Sequence, residues 1–251
     1  MKMSQTVSQL HIALLALGAI LFATSCSGED REQMFNTGND YFYGNGVAVN
    51  QESGCDYYEK SAIMGHPLAQ HNLGNCFLNG QGRKIDVDTA ASWFKKAANK
   101  NVASSKSNLA NIYLFEFNDE SVYQEAIRLL RDAITQDDLM ASLILGLVYF
   151  EGIAVEQNIE EARHYETAGN RGHILAQALL FHIYSEGLHG VTVDSDKANY
   201  WERQFHKNKD PYFADTWTID KVLAGAYEKG WGVQRNAGKA TFYRNKEKLT
   251  K

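Results

Sequence analysis

The chain has three cysteines, and they stand in two settings. Cys26 closes the segment Ala23-Thr24-Ser25-Cys26, directly after a long apolar run. A thiol at that place can carry a lipid as a thioether. Cys55 and Cys76 lie further along, in segments that read as neighbouring helices. Packed helices run about 8–10 Å apart, so the two thiols can reach each other, and an oxidising compartment would join them. Two buried free thiols fit the same positions. Asn39, Asn75 and Asn111 recur at steps of 36 residues. An amide side chain both donates and accepts hydrogen bonds, so such a ladder can clamp the backbone of an extended polypeptide.

Other constellations are missing. The eight histidines are scattered, with no His-Glu-x-x-His and no Cys-x-x-Cys. His71 and His182 occupy related sites too far apart to share an ion. There is no Gly-x-Ser-x-Gly elbow and no phosphate loop. Ser61 and Ser142 are not followed by Lys three residues on, and Glu151, Glu160 and Glu161 have no evident partner. The sequence therefore predicts no catalytic residues, no metal, no cofactor and no enzyme activity. The formal charge of −5 becomes −6 from Cys26 onward, because Lys2 is the only charged residue before it. That balance gives no reason to expect a nucleic-acid partner, which usually calls for a basic patch. The basic tail Arg244, Lys246, Lys248 and Lys251 is broken by Glu247 and reads as a solvated helix end.

The elements that position these residues follow from patterning. Leu10 to Ala23 is almost wholly apolar over 14 residues. That is short of the roughly 20 needed to span a bilayer and matches a signal-peptide core. The polar stretch Gly28 to Gln33 reads as a tether. Beyond it a repeat sets in. Gly38, Gly74, Ala110 and Gly146 are each 36 residues apart, and so are Tyr41, Phe77, Tyr113 and Tyr149. Tyr184 and Tyr227 continue the series at steps of 35 and 43. Glycine turns follow most of these aromatics, as in Gly44-Asn45-Gly46, Gly80-Gln81-Gly82 and Gly152-Ile153-Ala154. Glycine supplies the positive φ that a tight inter-helix turn needs. A second helix then ends in small residues, as in Trp93-Phe94-Lys95-Lys96-Ala97-Ala98. With only two prolines, Pro67 and Pro211, the chain suits helix throughout. One such helix pair cannot bury its own apolar face, so the pairs must stack.

Ala69-Gln70-His71-Asn72-Leu73-Gly74, the Gly80-x-Gly82 turn and the Trp93 to Ala98 helix resemble the Sel-1-like repeat, a relative of the tetratricopeptide repeat. The likeness spans about residues 35 to 245. The unit at 103–138 has Phe115-Glu116-Phe117-Asn118-Asp119 in place of the glycine turn, and the fifth unit has Phe181 where glycine is usual. An eight-residue excess that includes Asn208-Lys209-Asp210-Pro211 precedes the last unit. The resemblance implies an all-α, right-handed α-solenoid of about six helix-turn-helix repeats. It places the residue after the glycine site on the concave face: Asn39, Asn75, Asn111, Leu147, His182 and Gly225. Phe42, Leu78, Leu114 and Phe150 would add apolar contact. Trp217 and Trp231 are candidates for an interface or for capping the last repeat. The cysteine-rich branch of the family carries bridges at about eight-residue spacing, which Cys55 and Cys76 do not match.

Ala23-Thr24-Ser25-Cys26 is similar to a bacterial lipobox, with Ala23 where Leu is usual. The alternative is a plain signal peptide cut after a small residue, with Cys26 incidental. The expected organisation is a signal peptide at 1–25, a tether at 26–34 and the repeat domain at 35–251. With Cys26 lipidated and Ser27 after it, the expected location is the outer membrane, facing the periplasm. The membrane would be met through the lipid alone, and the partner would be another protein. Some lipid-anchored relatives are immunity partners against secreted antibacterial phospholipases, which suggests such a role here. The alternatives are a regulator that recognises a cell-wall glycan and, last, a β-lactamase-like hydrolase.

Overall fold

The computed structural model describes residues 28, 30–117, 119–158, 163–208, 218–229, 233 and 235–249. Among these the regular structure is helical, with no strand. The helices group into two compact units, one ending at Val102 and the other starting at Ala103. No helix of the described residues is long and apolar enough to cross a membrane.

The first unit holds two helix pairs: α1 (30–43) with α2 (Gln51–Ile63), and α3 (Pro67–Asn79) with α4 (Val87–Ala98). Side chains set the helix starts. Asn50 caps α2 by accepting from the Ser53 N–H at 3.0 Å, and Asp86 caps α4 by accepting from Thr89 at 2.9 Å. Each such cap stabilises its helix by about 1 kcal/mol. Gly80 ends α3 in the left-handed conformation, with φ of 70°, as the turn pattern predicts. Gly74 lies against α4, where an added Cβ would sit 2.7 Å from the Phe94 ring. The core of the unit is Cys55, Tyr58, Ala62, Ala69, Leu73 and Cys76, with Phe35, Phe42, Phe77 and Trp93 packed around it.

The second unit holds four pairs. They are α5 (Ala103–Phe115) with α6 (Tyr123–Ile134), and α7 (Leu139–Glu151) with α8 (His164–Asn170). After them come α9 (Ile174–Glu186) with α10 (Ser195–Asn208), and α11 (Ile219–Lys229) with α12 (Ala237–Leu249). Short 3-10 helices lie at Glu120–Val122 and Leu188–Gly190. α7 is buried continuously from Ala141 to Phe150 and forms the centre of this unit. A helix that is apolar all round is one enclosed by its neighbours. Gly146 on α7 is a contact point, because a Cβ there would meet the backbone nitrogen of Tyr165 at 2.8 Å.

A small device recurs in both units. Gly65-His66-Pro67-Leu68-Ala69-Gln70 and Gly172-His173-Ile174-Leu175-Ala176-Gln177 open α3 and α9. Each histidine caps its helix: His66 Nδ1 accepts from Ala69 at 3.1 Å and His173 Nδ1 from Ala176 at 3.4 Å. Each glutamine is buried and donates back to the preceding helix, Gln70 to the Ala62 carbonyl at 3.1 Å and Gln177 to the Gly169 carbonyl at 2.7 Å. Those carbonyls lie at helix ends, where intrahelical donors run out.

One expectation needs adjustment. The tether was placed at 26–34, yet residues 30–34 belong to α1. They are held by tertiary contacts: the Ser61 hydroxyl donates to the Arg31 carbonyl at 2.6 Å, and Glu32 meets His66 at 2.8 Å. The unit at 103–138 keeps its helix pair although it lacks the glycine turn, and the 3-10 helix at Glu120–Val122 leads into α6 instead. The basic residues Arg244 and Lys246 stand on the last helix and keep contact with solvent, as expected, while pairing with Glu228 at 2.7 Å and Glu186 at 2.9 Å. The excess before the last pair falls mainly on 209–217, outside the described residues.

Candidate partner-binding surface

The face expected to meet a partner is built by the residue after the small position of each first helix. In the first unit these residues are engaged within their own repeats. Asn39 is half-buried, and its Oδ1 accepts from the Tyr58 hydroxyl at 2.8 Å. Tyr58 is buried on α2, and burial pushes its hydroxyl pKa well up, with Tyr43 adding to the shift. Asn75 pairs its Nδ2 with His71 Nε2 at 3.0 Å, one turn earlier on α3. At these two positions the amides are already engaged, Asn39 across its helix pair with Tyr58 and Asn75 within α3 with His71. Phe42 is half-buried, with its ring centroid 5.7 Å from that of Tyr58.

In the second unit Asn111 is half-buried on α5. Phe150 is 5% exposed and stands edge-on to Tyr165, with centroids 5.9 Å apart, and Leu147 is 4% exposed. Neither can serve as an open wall, because α7 is enclosed on all sides. His182 is also corrected. It is 1% exposed and sits in a polar cluster with Glu186, Asp220, Lys246 and Tyr243.

Gly225 fares differently. With Met140, His173, Ile174, Leu175, Lys221, Val222 and Ala226 it lines an open groove of about 440 Å³. The groove runs over the start of α7 and α9 and the first half of α11, all first helices of their pairs. Met140, Ile174 and Val222 are half-buried and present hydrocarbon, while Lys221 is exposed at the edge. His173 is fixed there as a helix cap. Burial lowers its pKa, against a smaller upward pull from Asp138, so it stands neutral. Sequence reading passed over Met140, Ile174 and Val222 because they are scattered in first turns. The available signal was the repeated Gly-His-x-Leu-Ala-Gln opening.

Cys55 and Cys76 are joined in a disulfide between α2 and α3, with Cα atoms 6.3 Å apart and neither residue exposed. Cys26, Glu160, Glu161, Trp217 and Trp231 lie outside the described residues. Among the described residues no group of three His, Cys, Asp or Glu is placed to hold a metal ion.

Paired helices with glycine C-caps, small residues at the crossings and recurring buried caps define a helical-repeat protein. The family model described as Sel1 repeat matches residues 34–66, 67–102, 140–165, 174–201 and 223–243, more than half of the chain, and the chain belongs to that family. The longest gap between matches, 103–139, corresponds to the pair without a glycine turn. Solved structures share the fold. A Sel1 repeat protein from Oxalobacter formigenes is 28% identical with a TM-score of 0.63, over 88% of each chain. A sel1 repeat protein from Klebsiella pneumoniae is 20% identical with a TM-score of 0.54, over 78% of this chain and 92% of that one. An immunity protein from Pseudomonas aeruginosa is 15% identical with a TM-score of 0.51, over 88% of this chain and 82% of that one. No curated protein sequence matches the chain.

Proposed function

We propose that this chain is a lipid-anchored envelope protein that holds a partner protein on the first-helix face of its second unit. A Sel1-repeat array suits protein–protein interaction, because stacked repeats expose one helix of each pair along a continuous surface. The observation that carries the reading is the groove of about 440 Å³ lined by Met140, Ile174, Leu175 and Val222. An apolar side chain that leaves water there gains about 1.5–3 kcal/mol. The contact is made by a scaffold, in keeping with a family whose members are generally non-enzymatic.

The anchor is Cys26, reached after removal of residues 1–25, and the tether is short because α1 has begun by residue 30. The Cys55–Cys76 bridge supports an oxidising compartment, as expected for an outer-membrane lipoprotein facing the periplasm. Within this reading the narrower role is immunity against a secreted antibacterial effector. One protein sharing the fold is an immunity protein, and that likeness extends to the fold alone.

Two experiments test the reading. Cells fed an alkyne-bearing fatty acid should label the wild-type chain and not Cys26→Ser. A tagged chain should recover one stoichiometric protein from solubilised envelopes, and the Ile174→Glu, Val222→Glu double variant should lose it while keeping its helical circular dichroism. Retained capture by that variant refutes the groove. For the immunity role, the anchored chain should protect cells against the product of an adjacent effector gene.

A further inference from the structure

An asparagine followed by glycine can modify itself without an enzyme. The chain has two such pairs, Asn45-Gly46 and Asn79-Gly80, both in the first unit. Each stands where the first helix of a repeat gives way to the turn, and both asparagines are exposed. Residue type and exposure therefore do not separate them. Any difference must come from the backbone.

The chemistry sets the demand. The glycine nitrogen gives up its proton and attacks Cγ of the asparagine side chain. A new N–Cγ bond closes a cyclic imide, the bond from Cγ to the amide nitrogen breaks, and ammonia leaves with the proton. Water then opens either C–N bond of the imide. One opening gives aspartate, and the other gives isoaspartate, with one more methylene in the backbone. The net change is amide plus water to acid plus ammonia. The step needs a glycine nitrogen released from hydrogen bonding and an asparagine ψ free to bring Cγ onto it. Glycine favours the closure because it has no Cβ to crowd the ring.

The two pairs differ at that nitrogen. Asn79 is the last residue of α3, and Gly80 donates its N–H to the Cys76 carbonyl in the helix C-cap. As a helical residue Asn79 is held at ψ of about −42°, and turning it breaks the cap. The position is also covered, since a Cβ on Gly80 would lie 2.8 Å from the Ile85 side chain. Asn45 lies beyond Tyr43, the last residue of α1. The Asp40 carbonyl accepts from the Gly44 N–H at 2.8 Å and the Asn45 N–H at 3.0 Å, which pins the turn up to Asn45. The next pin is Asn50, whose N–H meets the Tyr41 carbonyl at 2.8 Å. Between them, among the described residues, the Gly46 N–H has no hydrogen-bond acceptor. A Cβ on Gly46 would meet nothing within 4 Å.

We propose that Asn45 is a self-modification site, converting through a cyclic imide with Gly46 to aspartate and isoaspartate, and that the helix cap spares Asn79. The product carries a negative charge just past the C-terminal end of α1, the negative end of the helix dipole. The inference needs neither the groove nor the lipid anchor.

The test uses the full-length purified chain, disulfide intact, either folded in mildly alkaline buffer or unfolded in guanidinium chloride. Peptide mass spectrometry follows the exchange of NH2 for OH at each asparagine. In the folded chain Asn45 should convert at least tenfold faster than Asn79, and in denaturant the two rates should come within threefold of each other. Hydroxylamine gives a second readout. It opens one imide carbonyl as a hydroxamate, whose nitrogen then displaces the glycine amine from the other and severs the chain. It should cut the folded chain at 45–46 alone and the unfolded chain at both pairs. Asn45→Gln, whose longer side chain closes the ring poorly, should lose the cut at 45–46 and keep its circular dichroism. Equal rates in the folded chain, faster conversion of Asn79, or a tenfold preference that persists in denaturant each overturns the proposal. So does a folded Asn45 that stays unchanged while the unfolded chain converts.

Discussion

Reduction of the Cys55–Cys76 bridge should lower the stability of the first unit by a predictable amount. The two residues are 21 apart in sequence and join α2 to α3, the second helix of one repeat to the first of the next. In the chain-entropy treatment, closing a loop of that length removes about 3 kcal/mol of freedom from the unfolded chain. Both side chains are wholly buried, so the two thiols formed on reduction must also part to van der Waals distance inside the core, and that crowding adds to the loss from the unfolded state. With a urea slope of about 2 kcal/mol per molar, the midpoint should move down by roughly 1.5 M. The assay compares two preparations of the wild-type chain, one oxidised and one reduced in denaturant and refolded with reductant, by circular dichroism across a urea series. Non-reducing mass spectrometry after alkylation counts the thiols. Two alkylated cysteines in the oxidised sample, or coincident urea curves, would refute the reasoning.

Other outcomes follow from packing and charge. Gly146→Ala places a methyl 2.8 Å from the Tyr165 nitrogen and should cost about 1–3 kcal/mol in urea unfolding. Gly225→Ala meets nothing within 4 Å and should stabilise α11 by up to about 1 kcal/mol, visible as a higher melting temperature. Gln177→Leu removes one of two donors to the Gly169 carbonyl, the Gly172 N–H remaining at 3.0 Å, and should cost about 0.5–1.5 kcal/mol, read the same way. His173 and His182 both have pKa values below 6.5, the first because burial outweighs Asp138, the second because burial and Lys246 outweigh Glu186 and Asp220. The unfolded chain therefore binds protons first. Their contribution to stability is full above about pH 6.5 and is lost as pH falls through the folded values. Urea midpoints at pH 7.5 and pH 5 should differ in that direction, and the difference should shrink in His173→Asn, His182→Gln.

The fold was legible because stacking leaves a mark at every repeat. The Gly38, Gly74 and Gly146 positions and the glycine C-caps answer local geometric demands, so their spacing reported helix pairs directly. The pair at 103–138 was also legible, since its apolar pattern survives the loss of the turn glycine. The start of α1 was not. Asp30 to Gln33 is polar, and what holds it is contact with Ser61 and His66, some thirty residues away. The site was legible only in register. Spacing located Asn39, Asn75 and His182 on equivalent helix positions. It could not show that Asn39 is held by Tyr58, or that His182 stands between two carboxylates from different helices. Phe150 gave a signal that was passed over: the run Leu143 to Phe150 is apolar on every face, the mark of an enclosed helix.

Site-specific crosslinking tests the central claim most directly. A photoreactive residue placed at Met140 or Val222 should, in intact cells, join the chain to one protein in near-stoichiometric yield, and the same residue at exposed Lys96 should not. Loss of that product in the Ile174→Glu variant, with the fold intact, is the result this account predicts. Equal crosslinking from Lys96, or a product that persists in Ile174→Glu, would contradict it.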